Sequence, residues 1–347
     1  MKNINPFGLF DEQFLLEKLS KLGDPLQKLN NIIDWEIFKI PINEALANKT
    51  KDPSKGGRTP FNKLMLFKSL IIQSTYRLSD DQLEYQILDR ASFKRFLGLK
   101  SSDKVPDSRT FWAFREQLIK SGIIEKLYKI FNESLDSMGI FANEGRIIDA
   151  SFVEAPRQRN NRDDNKYIKK TGKAPKNWEE KPRKLAQKDV DARWAKKNNT
   201  NHYGYKNHII IDSKTKLITD FVVTDASVHD SQVIDRLLSE KDSGQEVYAD
   251  SAYTGEKQEK IYKQKKVIPK INEKAYKNKP LTDLQKANNK EKSKTRVRVE
   301  HIFGFIENSM NGSFVKTIGI LRANAKIGLI NLTYNMSRYA QLKVKAL

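Results

Sequence analysis

The sequence has no cysteine among its 347 residues and only four histidines. The absence of cysteine excludes disulfide bonds, cysteine nucleophiles and zinc ribbons. No apolar run approaches the roughly 18 residues that cross a bilayer, and Met1–Pro6 lack the apolar stretch of a secretory signal. A Gly-rich phosphate loop is also missing, which argues against a nucleotide-driven motor. We therefore expect a cytoplasmic protein that works without a membrane and without ATP.

Acidic residues are too few to balance the basic ones. There are 64 Lys and Arg against 43 Asp and Glu, a net charge of +21, while 38% of residues are hydrophobic. The apolar content is enough for a large core, so whole-chain disorder is excluded. A basic excess of this size is typical of a protein that binds a polyanion such as nucleic acid.

Two segments carry most of the excess charge. Residues 156–201 hold 15 Lys and Arg against 6 acids, and residues 256–298 hold 15 against 5. Either run alone is equally consistent with solubilising loops, but two runs flanking acidic motifs favour a surface for a phosphate backbone. The first run contains Tyr167, Trp178 and Trp194, which suit base stacking or, equally, anchoring of the segment to the protein body.

Local signals predict an α-helical N-terminal domain over residues 1–140. A helix start is expected at Thr59-Pro60, a capping box at Ser79 and Gln82, and another helix start near Asp107. Short helices with tight turns could form a DNA-reading helix-turn-helix, but any small helical bundle gives the same pattern.

The pattern changes after Gly145, where β-branched and apolar runs predict strands. Residues 146–153 and 246–250 are expected as strands, 206–212 and 217–223 as a hairpin, and 267–271 as a short strand. Helices are expected at 230–238, from about 295, and at 323–341. The chain is thus predicted to be α/β, with a mixed-sheet domain over 141–347. Polar residues 156–201 are expected to be an insertion rather than a packed element.

Three acidic residues occupy unusual positions. Asp149 lies inside a strand expected to be buried on both faces, Asp250 ends another strand, and Glu300 lies on a helix of basic and apolar residues. An unpaired buried carboxylate costs several kcal/mol, so such acids either pair with a cation or serve chemistry. Carboxylates without cysteine favour Mg²⁺ or Mn²⁺. Three acids are what two ions about 3.5–4 Å apart need for an in-line phosphoryl displacement.

Five segments containing these acids resemble the bacterial insertion-sequence DDE transposases of the insertion-sequence-5 type. The segments are Ile147–Ser151, His202–His208, Val223–Ser231, Ala249–Gly255 and Arg296–His301. The resemblance runs from about Gly57 to near the C-terminus. It implies a ribonuclease H-like core preceded by helices that recognise the element's ends. It also implies that Asp149, Asp250 and Glu300 are the catalytic metal ligands.

The pattern Tyr-x2-Arg-x3-Glu-x6-Lys of related transposases is only half present. Arg296 and Glu300 fit it, but Ser293 stands at the tyrosine position and Glu307 at the lysine position. Contacts of the missing pair cannot be carried over, and Lys294, Arg298 and Lys316 are open as substitutes. We predict DNA contacts from four basic residues, namely Arg296, Arg298, Lys206 and Lys294.

Two histidines are candidates for a place beside the metal site without binding the metal. His208 opens the strand expected beside Asp149, although a structural histidine is the simpler interpretation. His229 precedes Asp230, which is expected to cap a helix.

The resemblance and the three acids together predict a transposase that hydrolyses phosphodiester bonds at the element's ends. The freed 3′-hydroxyl is then expected to be joined to target DNA. Two Mg²⁺ or Mn²⁺ ions are the expected cofactors. Double-stranded DNA, both terminal inverted repeats and target, is the expected partner, bound by a homodimer or higher assembly. The alternatives are a ribonuclease H-like nuclease without strand transfer and a non-catalytic DNA-binding relic.

Overall fold

The structure, a computed structural model, describes residue 8 and residues 10–47, 59–276 and 279–345. Met1–Pro6 and Gly57, used in the sequence analysis, lie outside these ranges. Two compact units are present: Met1–Phe131 with Leu332–Leu347, and Asn132–Asn331. We call them the helical unit and the sheet unit. The predicted domains, 1–140 and 141–347, divide the chain once and remain a prediction.

The helical unit is built from short helices, several of which begin at a side-chain cap. Among the described residues, the α-helices that precede the first strand are α1 Asp11–Lys21, α2 Pro25–Ile32, α3 Lys39–Ala45, α4 Lys63–Tyr76, α5 Asp80–Asp89, α6 Ala91–Leu97, α7 Ser108–Ser121 and α8 Ile123–Ser137. The Ser79–Gln82 capping box and the Asp107 cap are confirmed. The start predicted at Thr59 is wrong, because Asn62 caps α4 instead. The core of the helical unit combines many buried Leu and Ile side chains with a group of buried aromatic ones, including Phe38, Phe67, Phe93, Phe96 and Phe111.

The sheet unit contains one mixed sheet, as predicted. Its strands are β1 Arg146–Glu154, β2 Arg193–Lys197, β3 Thr200–Asp212, β4 Ile218–Asp225, β5 Glu246–Ala249 and β6 Ile268–Ile271. The order is β2-β3-β1-β5-β6, with β4 also paired to β3. β3 is antiparallel to β1, β2 and β4, whereas β5 is parallel to both β1 and β6. Strand β1 is therefore in the middle of the sheet.

Helices follow or interrupt these strands. They are α9 Arg162–Thr171, α10 Lys176–Glu179, α11 Pro182–Leu185, α12 Ile234–Leu237, α13 Glu256–Gln264, α14 Asp283–Arg296, α15 Arg298–Met310 and α16 Ile320–Lys345. The helical pattern predicted from about 295 begins earlier, at Asp283. The helix predicted over 230–238 is a short 3₁₀ turn, Asp230–Val233, followed by α12. Among the described residues, no helix is both long enough and apolar enough to cross a membrane.

The prediction that residues 156–201 form an unpacked insertion is wrong. The segment contains α9, α10, α11 and β2, and it has a small core of its own. Trp178 is fully buried, and its indole Nε1 donates a hydrogen bond of 3.1 Å to Asp164. The ammonium groups of Lys184 and Lys188 lie 4.9 and 5.6 Å from the centre of the Trp178 ring. A buried aromatic with cations over its face explains how so polar a segment packs.

Strand register assigns the side chains of β1 and β3 to faces. Asp149 pairs with Ile209, and the next residue, Ala150, pairs with His208. Paired residues project to the same face, and successive residues project to opposite faces. Asp149 and His208 therefore lie on opposite faces of the sheet. The face of His208 carries the core cluster that includes Ile148 and Ile210.

Candidate active site

Asp149 lies at the centre of β1 with its side chain 16% exposed. Its Oδ1 accepts a 2.8 Å hydrogen bond from the amide of Ala150. The pKa of Asp149 is raised to about 6, mainly by burial and in part by the charge of Asp250, against the lowering effects of the Ala150 amide and Arg296. The expectation that this strand is buried on both faces is wrong at Asp149, because residues 149–152 are only half-buried.

Asp250 is brought beside Asp149 by the parallel pairing of β5 with β1. Ile147 pairs with Tyr248, so the same register, continued for two residues, puts Asp250 level with Asp149. Because both side chains are then two residues beyond a matched pair, they project to the same face. The Oδ1 atom of Asp250 accepts a 2.8 Å hydrogen bond from the amide of Ala252 and caps the 3₁₀ turn that follows.

Glu300 is linked to Asp149 by Arg296, whose guanidinium lies near both carboxylates. Glu300 lies in the first turn of α15, a helix that packs against β1, with its side chain 60% exposed. The Nη2 atom of Arg296 is 3.9 Å from Oε1 of Glu300, and its Nη1 is 3.4 Å from Oδ2 of Asp149. One guanidinium thus contacts two of the three predicted acids. In the part of the chain that the structure describes, no three His, Cys, Asp or Glu side chains are grouped closely enough to hold one metal ion.

The chemistry of Asp149 and Asp250 nevertheless fits a divalent cation. Their oxygens are the ligands that Mg²⁺ and Mn²⁺ prefer. A buried carboxylate whose pKa is raised by desolvation and by a neighbouring carboxylate is one whose ionised form a bound cation would stabilise. Asp149 and Asp250 are therefore the residues that could hold a metal in this conformation, and Glu300 could join them if its side chain moved inward.

The four predicted DNA-contact residues have different surroundings. The guanidinium of Arg296 pairs with Asp149 and Glu300. Nη1 of Arg298 donates a 2.9 Å hydrogen bond to the carbonyl of Ser213, next to the N-terminal end of β1. Lys294 is on the surface, where its ammonium pairs with Glu291 at 2.7 Å. Of these three residues, Lys294 and Arg298 are exposed, whereas Arg296 is half-buried.

Lys206 is placed where a DNA contact is not favoured. It is 8% exposed, and its ammonium is 2.7 Å from both Oδ1 of Asp230 and the carbonyl of Val228. The same ammonium lies 5.1 Å from the centre of the Phe152 ring. Because both strong acceptors belong to the protein, the placement of Lys206 favours a structural role.

The two candidate histidines do not join the acids. His208 is fully buried on the opposite face from Asp149, and its Nε2 lies 2.9 Å from Oγ1 of Thr224. Exposed His229 caps the 3₁₀ turn at Asp230, because its Nδ1 accepts a hydrogen bond from the amide of Ser231. The capping role expected for Asp230 is therefore wrong, and Asp230 pairs with Lys206 instead.

Sequence reasoning gave no role to two residues near the acids. The hydroxyl of Tyr253 is buried without a hydrogen-bond partner among the described residues, and burial, with the charges of Asp149 and Asp250, raises its pKa. The charge of Lys197, beside the β2–β3 turn, lowers the pKa of Asp149. Tyr253 belongs to the segment Ala249–Gly255 and Lys197 to the basic segment 156–201. Neither pattern indicates that these residues lie near Asp149.

Comparison with known proteins identifies the class of this fold and site. Residues 141–336, more than half of the chain, match the family described as Transposase DDE domain. The chain belongs to that family. Residues 14–117 match a second family, described as Transposase domain (DUF772), so both predicted regions are of transposase type. A cryo-EM structure of a piggyBac transposase synaptic complex with hairpin DNA is similar over 93% of this chain and 76% of that chain, with 13% identity and a TM-score of 0.47.

Proposed function

We propose that this transposase cuts phosphodiester bonds at the ends of an insertion sequence of the insertion-sequence-5 type. It then joins the freed 3′-hydroxyl to target DNA. The observation that carries the proposal is the pairing of Asp149 with Asp250 on adjacent parallel strands of a chain of the DDE family. We also propose that the mixed sheet, with Asp149 on its central strand, is a ribonuclease H-like core.

The proposed metal ligands are Asp149, Asp250 and Glu300. Two Mg²⁺ or Mn²⁺ ions bound there would supply activation of the attacking oxygen and stabilisation of the leaving one. Backbone amides orient the carboxylates of Asp149 and Asp250. The Ala150 and Ala252 amides each hold one carboxylate oxygen in place, which leaves the other oxygen of each acid to face the ions.

Double-stranded DNA is the proposed partner, both as element ends and as target. The basic segments 156–201 and 256–298 would hold its backbone, with affinity arising mainly from counterion release. Arg298 lies on α15, the helix that carries Glu300, and Lys294 lies near the end of the preceding helix α14, so both would hold DNA close to the acids. Two ends are joined in one event, and we therefore propose a homodimer or higher assembly on DNA.

Strand transfer with a matched pair of variants tests this function. The DNA flanking the gene supplies candidate ends, which are labelled and incubated with supercoiled plasmid, Mg²⁺ and the protein. Asp250→Ala removes a proposed ligand. Asp235→Ala removes the same charge from an exposed position on α12, where the carboxylate pairs with Lys265 at 3.4 Å.

Joined products from the wild type and Asp235→Ala, but not from Asp250→Ala, are the expected result. Because a missing ligand removes the metal chemistry, we expect a loss of at least about 10³-fold. Cleavage without joining by the wild type and Asp235→Ala, but not by Asp250→Ala, would instead indicate a nuclease that uses the same acids. Cleavage by all three proteins would indicate that the reaction centre does not include Asp250. DNA binding without any cleavage would indicate a non-catalytic relic.

A further inference from the structure

The guanidinium of Arg296 lies in the position of a shared counter-ion. It contacts Oδ2 of Asp149 at 3.4 Å and Oε1 of Glu300 at 3.9 Å, and its side chain is 23% exposed. No other cation of the described residues is within 4.0 Å of the Asp149 or Glu300 carboxylate. Arg296 therefore supplies the ion-pair compensation for two acids from different parts of the chain.

This contact occupies the oxygen that a metal would need. Oδ1 of Asp149 already accepts the Ala150 amide, and Oδ2 is the atom that faces Arg296. The Glu300 carboxylate, 60% exposed, lies 3.9 Å from the same guanidinium. A metal cation and a guanidinium at the same carboxylate oxygens weaken each other's binding, because their positive charges repel at such distances.

We propose that Arg296 is an internal counter-ion that occupies the acid site without metal and has to leave Asp149 and Glu300 for the metal ions to bind. This proposal rests on the proposed function, because it assumes that these acids are metal ligands. Arg296 is then a positioning residue. It holds the carboxylates in the metal-free protein and competes with the ions for them.

The position of Arg296 in the chain supports such a movement. It is the last residue of α14, and Val297 separates α14 from α15, on which Glu300 lies. The guanidinium also has a spare donor, since its Nε is buried without a hydrogen-bond partner among the described residues. A planar guanidinium presents its donors as a fork that fits phosphate as well as carboxylate. On release from the acids, Arg296 can therefore bind the DNA backbone, so metal loading and DNA contact are coupled.

The test measures Mn²⁺ binding to the full chain without DNA, by the loss of the free-ion electron paramagnetic resonance signal. Arg296→Gln removes the competing charge. Lys286→Gln is the matched control, because it removes the same charge from an exposed position on the same helix, where Lys286 pairs with Asp283. We expect Arg296→Gln to bind Mn²⁺ about fivefold more tightly than the wild type, the size of one partly exposed ion pair. Lys286→Gln is expected to bind like the wild type.

A second variant separates competition from a general charge effect. Arg296→Lys keeps the charge but cannot contact two carboxylates with one planar fork, so its affinity for Mn²⁺ is expected between those of the wild type and Arg296→Gln. It also replaces Arg296→Gln if that variant does not fold, as judged by its thermal unfolding.

The outcomes distinguish this inference from the proposed function. Weaker or unchanged Mn²⁺ binding by both Arg296 variants would overturn the counter-ion role, while binding that still depends on Asp250 would leave the metal site standing. If Asp250→Ala binds Mn²⁺ as well as the wild type does, the metal site itself is refuted. Equal tightening by Lys286→Gln would reduce the effect to net charge and would also overturn the inference.

Discussion

At the scale of single residues, His208 shows how burial decides the charge of a side chain. Its imidazole is fully buried, with Nε2 beside Thr224 and Nδ1 3.9 Å from Asp230. The pKa of His208 is lowered to about 4, mainly by burial; the charge of Asp230 opposes this shift, and those of Lys206 and Arg236 add to it. The histidine is therefore neutral in the folded protein at neutral pH.

This histidine makes folding of the sheet unit sensitive to acid. The unfolded chain takes up a proton near pH 6.5, the ordinary histidine pKa, but the folded protein does not until about pH 4. The contribution of His208 to stability is thus complete above pH 6.5 and is lost as the pH falls towards 4. The full loss is about 3 kcal/mol of unfolding free energy.

Urea unfolding at pH 7, 5.5 and 4.5 measures this loss. His208→Gln, which keeps a polar group near Thr224 but does not titrate, is expected to flatten the decline in that pH range. His229→Gln is the control, because His229 is exposed. A decline of the same size in His208→Gln and the wild type would contradict the assignment.

The residues of the site were predictable only where strand geometry determined their position. Asp149 and Asp250 lie on segments whose apolar, β-branched composition predicts strands, and parallel pairing makes the two acids neighbours. The face of His208 depends on register, which a shift of one residue would reverse. The pairing of Lys206 with Asp230 joins residues 24 positions apart, and no local pattern encodes it.

At the scale of elements, the segment 156–201 is fixed to the sheet unit by Asp189. This carboxylate is buried and accepts four hydrogen bonds. Oδ1 accepts the amides of Asp191 and Ala192, whereas Oδ2 accepts the hydroxyl of Tyr205 at 2.6 Å and the amide of Gly319 at 3.1 Å. Asp191 in turn accepts the amide of the first α16 residue at 2.8 Å. Two acids thus satisfy donors at the N-terminus of a long helix.

Removing this anchor should loosen the segment. Asp189→Ala leaves the buried Tyr205 hydroxyl and three amides without their acceptor, so we expect a loss of about 3 kcal/mol of unfolding free energy. Tryptic cleavage after the Lys and Arg residues of 156–201 should become faster. Asp163→Ala, at an exposed position on α9, should change neither quantity. Equal protease resistance of both variants would show that the segment is held in another way.

Some helices and strands could be predicted from the sequence because their ends carry capping or turn residues. The Ser79–Gln82 and Asp107 caps were identified correctly, and the β3–β4 hairpin follows from two apolar runs around a polar turn. The start of α14 was missed although Thr282 and Gln285 form a capping box, because that helix buries no residue and so has no apolar periodicity. In the segment 156–201, the small core around Trp178 was not predicted, because the surrounding residues are mostly charged or polar.

At the scale of the whole molecule, the excess of 21 positive charges is organised by segment rather than dispersed. In 156–201, two of the acids that could neutralise the positive charge are buried inside the protein. Asp164 accepts a hydrogen bond from Trp178, and Asp189 accepts one from Tyr205. The lysines of α9, by contrast, are exposed. The surface of this segment is therefore more basic than its composition suggests, which favours a polyanionic partner.

The salt dependence of DNA binding tests whether this surface holds the backbone. Each phosphate contact contributes a slope of about −0.9 to log K against log salt concentration. Replacing exposed Lys169 and Lys170 of α9 by glutamine should lower the steepness by up to about 2 and weaken binding to all duplex sequences alike. The double replacement of Lys214 and Lys241 by glutamine is the control, because both are exposed and outside the two basic segments. Fluorescence anisotropy between 50 and 300 mM salt, as a practical range of about sixfold, measures both slopes. Since the two variants have the same net charge, equal slopes would show that DNA responds to the charge of the whole molecule and not to this segment.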